Sequence, residues 1–521
     1  METTSGEGFF TAQQLEEFGQ WFEQSGLDPA LLTVGLPLLN LVVTVLFFWL
    51  AWKVLGYPLR AWWKKRKAIE EERLREEWSV HGTARFATRG DYEEADMLGH
   101  RADGFLIGQM QNFDHLRYPG NGHIITFAPT GSGKGVSAVI PNLLDYDGST
   151  ICIDPKGENA AITARYRRET LKQEVHLLDP WEVAEQGCSA FNPFDWLDGN
   201  ADNLTDDAMM LADTLVVNDR PDHWQQEATA LIAGVIMYIA AHEPDERRNL
   251  MRLNHLLSLP ADKFTELLNA MQNSHIPAVK RTGARFAGKA PNEASGVLSS
   301  AQSHLHFLES PNIAKVLERS DFNLLDIKRK RMSLYLVLPA DKLNSHSRWL
   351  RLMISLILAA LTRERGGANK PVLFLLDEFA ALGQLKMVET AMGLMRGYGV
   401  KLWPILQDLS QLRASYPRSW ESFVANAGVL QVFGTNDQGT AQYFSQMAGM
   451  ATRSTTSTSG DNTSYGKTGR PLLMPDEVRQ IDNLNQLLFV DSLPPGQVGK
   501  AIYYSMEAFK GKYDPNPYRE D

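Results

Sequence analysis

Apolar and polar positions divide the chain into three kinds of stretch. The first is a long apolar run, Leu31 to Leu55, whose interruptions are mild: Gly35, Pro37, Asn40 and a terminal Lys53 that can snorkel. As a helix at 1.5 Å per residue it would be roughly 37 Å long, enough to cross a ~30 Å hydrocarbon core with some tilt. Arg60, Lys64, Lys65, Arg66 and Lys67 follow at once. The positive-inside rule therefore puts everything downstream in the cytoplasm and residues 1–30 outside. Basic residues after the run, with no small-residue cleavage site, argue against a cleaved signal peptide. Residues 1–30 hold six acids and no lysine or arginine, too polar for a second span. Leu15, Phe18 and Phe22 share one helical face there, which fits a surface amphipathic helix or a packed terminus. Lys64 to Trp78 reads as a charged helix, basic first and then acidic.

The second kind is a series of short, β-branched or aromatic runs separated by helical patterns. Gly104–Gly108, Ile124–Phe127, Ser149–Asp154, Ser333–Leu338, Val372–Leu376, Leu402–Leu406, Val429–Phe433 and Leu487–Val490 read as strands. Helices are expected at Ser347–Arg365, Met387–Tyr398 and Thr440–Met447. Pro404 would deprive a central strand of one N–H, so that strand is expected to carry a bulge or lie at an edge. The third kind, Pro193 to Pro311, has no strand-like run and apolar residues at helical spacing. The pattern predicts an α/β protein with an all-α insert. Its parts are an outer tail (1–30), a transmembrane helix (31–55), a juxtamembrane helix (56–80), α/β segments at 81–192 and 312–521, and the insert at 193–311. Thr452 to Gly469, rich in Ser, Thr and Gly, reads as a mobile loop at 452–469.

Two stretches carry chemistry. His123 to Gly135 is a buried strand that breaks into a Gly-rich turn with one lysine and continues as a helix. Backbone N–H groups of Thr130, Gly131, Ser132, Gly133, Lys134, Gly135 and Val136 can cradle phosphates, and the Lys134 ammonium can reach the outer ones. Against the pattern G-x-x-x-x-G-K-[ST], Ala128 replaces the first glycine and Gly135 the hydroxyl residue that would hold Mg²⁺. The second stretch, Pro371 to Glu378, is an apolar strand ending in two carboxylates. Asp377 can enter the Mg²⁺ shell, while Glu378 can polarise the water that attacks the γ-phosphate. Together the two stretches predict an ATPase using ATP and Mg²⁺. Gln407, at the end of the next strand, can contact the γ-phosphate and relay its loss, or be a surface amide. Arg396, near a helix end, can face a neighbouring subunit's nucleotide as an arginine finger or be a solvated side chain.

Composition adds limits. At 521 residues two or three domains are expected, and a net charge of −10 means any DNA contact must come from a local basic surface. Cys152 and Cys188 stand in no metal-ligand spacing and read as small buried residues of a reducing compartment.

His81–Arg85, the loop APTGSGKGV, Asp154–Glu158 (DPKGE), Asn192–Phe194, LLDEFAALG, Leu406–Leu412 and Arg470–Val478 occur in an order that resembles the TraG-like coupling proteins of type IV secretion and conjugation. The resemblance spans about residues 79–505. It implies a membrane-anchored homo-hexameric ATPase of the bacterial inner membrane, with a RecA-like P-loop domain and an all-α domain at the cytoplasmic entrance. It implies relaxase-bound single-stranded DNA as cargo and type IV secretion channel components as partners. Protein effectors are the rival cargo, and an ATP-binding docking platform with little motor activity is the rival from another class. In that family a glycine after the loop lysine is usual, and the finger position falls on Arg396. One clear span, rather than two, departs from many members.

Overall fold

The computed structural model describes residues 12–26, 44–46, 49, 66, 81–98, 104–110, 114–216, 222–364, 370–459 and 462–518. The expected span at 31–55 lies outside them except for residues 44–46 and 49. Among the described residues no helix is long and apolar enough to cross a membrane. A helix does form at Ala12–Gln24, although the side chains of Leu15, Phe18 and Phe22 lie outside the description. The chain divides into two units, residues 1–83 with 454–468, and 84–453 with 469–521.

The second unit is built on one sheet. Its strands are β1 (Phe105–Gln109), β2 (His115–Tyr118), β3 (His123–Phe127), β4 (Thr150–Asp154), β5 (Glu174–Leu178), β6 (Met332–Val337), β7 (Val372–Leu376), β8 (Val400–Leu406) and β9 (Ala427–Val432). After β10 (Met450–Ser459) and β11 (Asn462–Pro471) come β12 (Asn485–Val490) and β13 (Gly496–Gly499). The sheet order is β2-β1-β13-β12-β9-β3-β8-β7-β4-β6-β5. From β9 to β5 every pair is parallel, and the remaining strands join antiparallel. Strands β3, β4, β7 and β8 are buried throughout, because helices cover both faces of a parallel sheet. Alternate residues serve different cores: Ile125 and Phe127 belong to the one that extends into the helices of the 204–317 segment, Ile124 and Ala128 to the one that holds Trp403 and Ile405.

Between the paired neighbours β5 and β6 the described chain is helical, with helices such as Leu204–Leu215, His223–His242, Ala261–Gln272, Pro277–Ala287 and Pro291–Leu305. Aspartate or asparagine caps open two of its helices: Asp222 accepts from the Gln225 N–H and Asn249 from the Arg252 N–H.

Two expectations are corrected. Pro404 sits in β8 at the sheet centre, not at an edge or bulge; it pairs with Leu376 of β7, while pairing with β3 begins only at Ile405. The missing N–H therefore falls where the second ladder has not yet started. Residues 452–459 and 462–469 form most of the two-stranded β10–β11 ribbon rather than a loop, since repeated threonines suit extended backbone even without an apolar face.

Candidate active site

The phosphate loop follows β3. Gly131 and Gly133 take φ of +80° and +84°, a conformation glycine adopts without strain, and a Cβ at Gly131 would meet nothing within 4 Å. Alternation of these residues with Ser132 makes the kind of concave N–H array that binds anions. The Ser132 N–H and hydroxyl both donate to the Pro129 carbonyl, at 3.1 and 2.7 Å, and close the turn. The chain then enters a wide π turn at Gly135–Val139 and an α-helix at Ile140–Asp145. Pro141 has no N–H to give the ladder, and the wider turn accommodates that loss. Asn142 locks this helix to β1, donating to the carbonyls of Leu106 and Ala138 and accepting from the Leu106 N–H.

Strand β7 delivers Asp377 and Glu378 to the same place. The Lys134 Nζ lies 2.8 Å from Asp377 Oδ1 and also contacts Glu378 Oε1. Asp377 Oδ1 further accepts the Glu378 N–H at 2.9 Å. Glu378 stands at φ +51°, a strained setting for a side chain of its size, which persists only where neighbours hold it. Burial pushes the Asp377 carboxyl up, with Lys134 pulling against it. Burial would lower the Lys134 ammonium, yet the two carboxylates outweigh it and raise the pKa.

Strand β8 runs between β3 and β7, so Gln407, one residue past its end, belongs to the same rim. Its N–H donates to Gln411 Oε1 at 2.9 Å. The structure thus brings Lys134, Asp377 and Glu378 into contact and puts Gln407 on the strand between them. Arg396 lies in the single turn Met395–Tyr398, and its side chain is outside the described residues.

Arg351 and Lys500 were not singled out from the sequence, and Asp154 was named there only within the DPKGE stretch. Asp154 ends β4 beside β7 and accepts the Ala160 N–H at 2.8 Å; burial pushes its carboxyl up to about 7, with the Asp377 charge adding to the rise. Arg351 donates to the carbonyls of Leu382 and Gln384 and so anchors the turn beyond Glu378. Lys500 donates to the Ser132 carbonyl. Asp154 was visible as part of a charged turn; the other two reach the site from far along the chain.

For a metal, no cluster of three or more His, Cys, Asp or Glu exists among the described residues. Mg²⁺ commonly uses one or two carboxylates together with nucleotide phosphates. Asp377, at the end of β7 beside Lys134, is the carboxylate that would hold it.

A glycine-rich loop whose lysine meets paired carboxylates at the carboxyl ends of parallel strands gives the chain an α/β fold of the P-loop, RecA-like kind. The family model described as type IV secretory system conjugative DNA transfer matches residues 76–517, and the chain belongs to that family. Among its relatives, the conjugal transfer protein TraG of Escherichia coli is 31% identical over 459 residues, covering 76% of this chain and 70% of that protein. The protein VirD4 of Rhizobium rhizogenes is 29% identical over 450 residues, covering 82% and 66%. The solved plasmid coupling protein TrwB in complex with ADP and Mg²⁺ superposes with a TM-score of 0.63 at 18% identity, covering 80% of this chain and 94% of that one. At that identity the likeness is one of fold.

Proposed function

We propose that this chain is the coupling ATPase of a conjugative DNA transfer system, delivering relaxase-bound single-stranded DNA to a type IV secretion channel. The observation that carries this reading is the direct closure of Lys134 on Asp377 and Glu378, two segments 243 residues apart in a chain whose family moves DNA. The N–H groups of Thr130 to Val136, other than that of Ser132, which donates to Pro129, cradle the phosphates of ATP, and Lys134 is the ammonium for which a triphosphate competes with the two acids. Asp377 would hold Mg²⁺, which when bound would neutralise phosphate charge. Glu378, whose N–H is held by Asp377 and whose carboxylate meets Lys134, orients and deprotonates the attacking water. Gln407 reports the γ-phosphate from the strand between loop and carboxylates. Arg396 supplies a finger to the next subunit of a homo-hexamer.

The apolar run 31–55 and the basic residues after it support a single-pass anchor in the inner membrane, with the N-terminus outside and the ATPase in the cytoplasm. The helices between β5 and β6 form the domain that meets cargo. The test is ATP turnover by the full-length protein with and without single-stranded DNA. Stimulation by DNA supports the reading. Steady turnover indifferent to DNA would instead favour protein effectors as cargo, and no turnover a docking platform.

A further inference from the structure

Lys500 is a buried cation with no part in the chemistry above. It follows β13 and is 1% exposed. Its Nζ donates to the Ser132 carbonyl at 2.9 Å, across 368 residues of sequence, and sits 4.4 Å from the centre of the Phe433 ring. Ser132 is the residue between the two left-handed glycines of the phosphate loop. A trans peptide unit points its C=O and its N–H in opposite directions. A lysine that holds the Ser132 carbonyl therefore also aims the Gly133 N–H, away from Lys500. Without a partner, that peptide could rotate, since glycines flank Ser132 on both sides.

We propose that Lys500 is a positioning residue for nucleotide: it locks the Ser132–Gly133 peptide so that the Gly133 N–H faces the polyphosphate, and its charge adds to the positive field of the loop. This rests on the reading of the loop as a nucleotide site. The same contact makes the C-terminal antiparallel strands part of the phosphate site. The charged group acting on Lys500 is Asp482, from the turn before β12, which raises its pKa against the stronger effect of burial. The loop after β9 contributes the neutral Phe433 ring, and the phosphate loop's own cation, Lys134, is held by Asp377 and Glu378. Burial leaves the ammonium at about 8. A bound polyanion favours the charged form, so binding above that pH must take up a proton. Affinity then falls as pH rises, by up to about tenfold between pH 7 and 9.

The experiment is binding of Mg·ADP and Mg·ATP to the full-length protein from pH 7 to 9, for wild type, Lys500→Met and Lys500→Arg. Wild type should lose up to about tenfold across that range. Lys500→Met should bind about tenfold more weakly at pH 7, from loss of a charge-assisted hydrogen bond, and show no further decline due to this group. Lys500→Arg, whose cation does not titrate, should also lack the decline. A Met variant with wild-type affinity, or an Arg variant with the wild-type pH profile, would overturn the proposal. Wild-type protein that binds no nucleotide at any pH would overturn the nucleotide reading itself, and this inference with it.

Discussion

At the scale of single residues, the site concentrates charge that the rest of the interior avoids. Lys134, Asp377, Glu378 and Asp154 meet at the carboxyl ends of three strands, where backbone N–H groups and the lysine offset part of the burial cost. Asp154 gives a test in pH. Its folded pKa, about 7, lies above the unfolded value near 3.9. Between those values the folded chain keeps a proton that the unfolded chain has released, so this group makes stability fall as pH rises, by about 1.4 kcal/mol per unit at most. Above pH 7 the loss is complete and constant. Asp154→Asn keeps an acceptor for the Ala160 N–H and removes the titration. Melting curves from pH 5 to 7 should therefore show wild type losing ground to the variant, and parallel curves would refute the assignment.

At the scale of elements, most strands legible in the sequence lie in the parallel part of the sheet, though β1 and β12 of the antiparallel part were legible too. β3, β4, β6, β7 and β8 are continuous apolar runs because a parallel sheet exposes neither side. The strands β2 and β5 escaped notice: they are the sheet's edges, and their sequences HLRY and EVHLL mix polar with apolar residues. β13, GQVG, is too short and glycine-rich to signal itself. Lys134 and the carboxylate pair were readable because each sits in a local strand-to-turn pattern. Arg351 and Lys500 were not, since what makes them matter is a partner 33 and 368 residues away.

Arg351 is the link between a helix, Leu343–Arg363, and the turn that follows Glu378. The Phe379 ring of that turn stacks on Tyr416, whose hydroxyl accepts the Leu385 N–H. Arg351→Met would leave buried carbonyls without their donor and should cost about 2–4 kcal/mol in denaturant unfolding. It should also lower kcat more than nucleotide affinity, because the carboxylate turn moves while the phosphate loop does not. An unchanged kcat in a folded variant would show that the turn's position is set elsewhere.

At the scale of the whole molecule, the helical segment inserts between two strands that are hydrogen-bonded neighbours, so it projects from the sheet without interrupting it. Its helices share one core with the sheet, from Ile125 and Leu334 through to Leu231 and Ile236. Under the proposed function, such continuity would give a mechanical route between these helices and the nucleotide site. The ring itself is tested through Arg396. Arg396→Ala protein should be inactive alone and partly rescued when mixed with Lys134→Ala protein, since each variant can supply what the other lacks across a subunit boundary. Hexamers that form without rescue would remove the finger assignment.

The proposed site divides its labour: Lys134 is to bind nucleotide and Glu378 to hydrolyse it. Nucleotide binding and ATP turnover measured side by side on Lys134→Ala and Glu378→Gln test it directly. Lys134→Ala should lose binding and turnover together, while Glu378→Gln should bind Mg·ATP near the wild-type level and turn over slower by about 10²–10⁴-fold. Wild-type turnover by Glu378→Gln, or undiminished binding by Lys134→Ala, would contradict it.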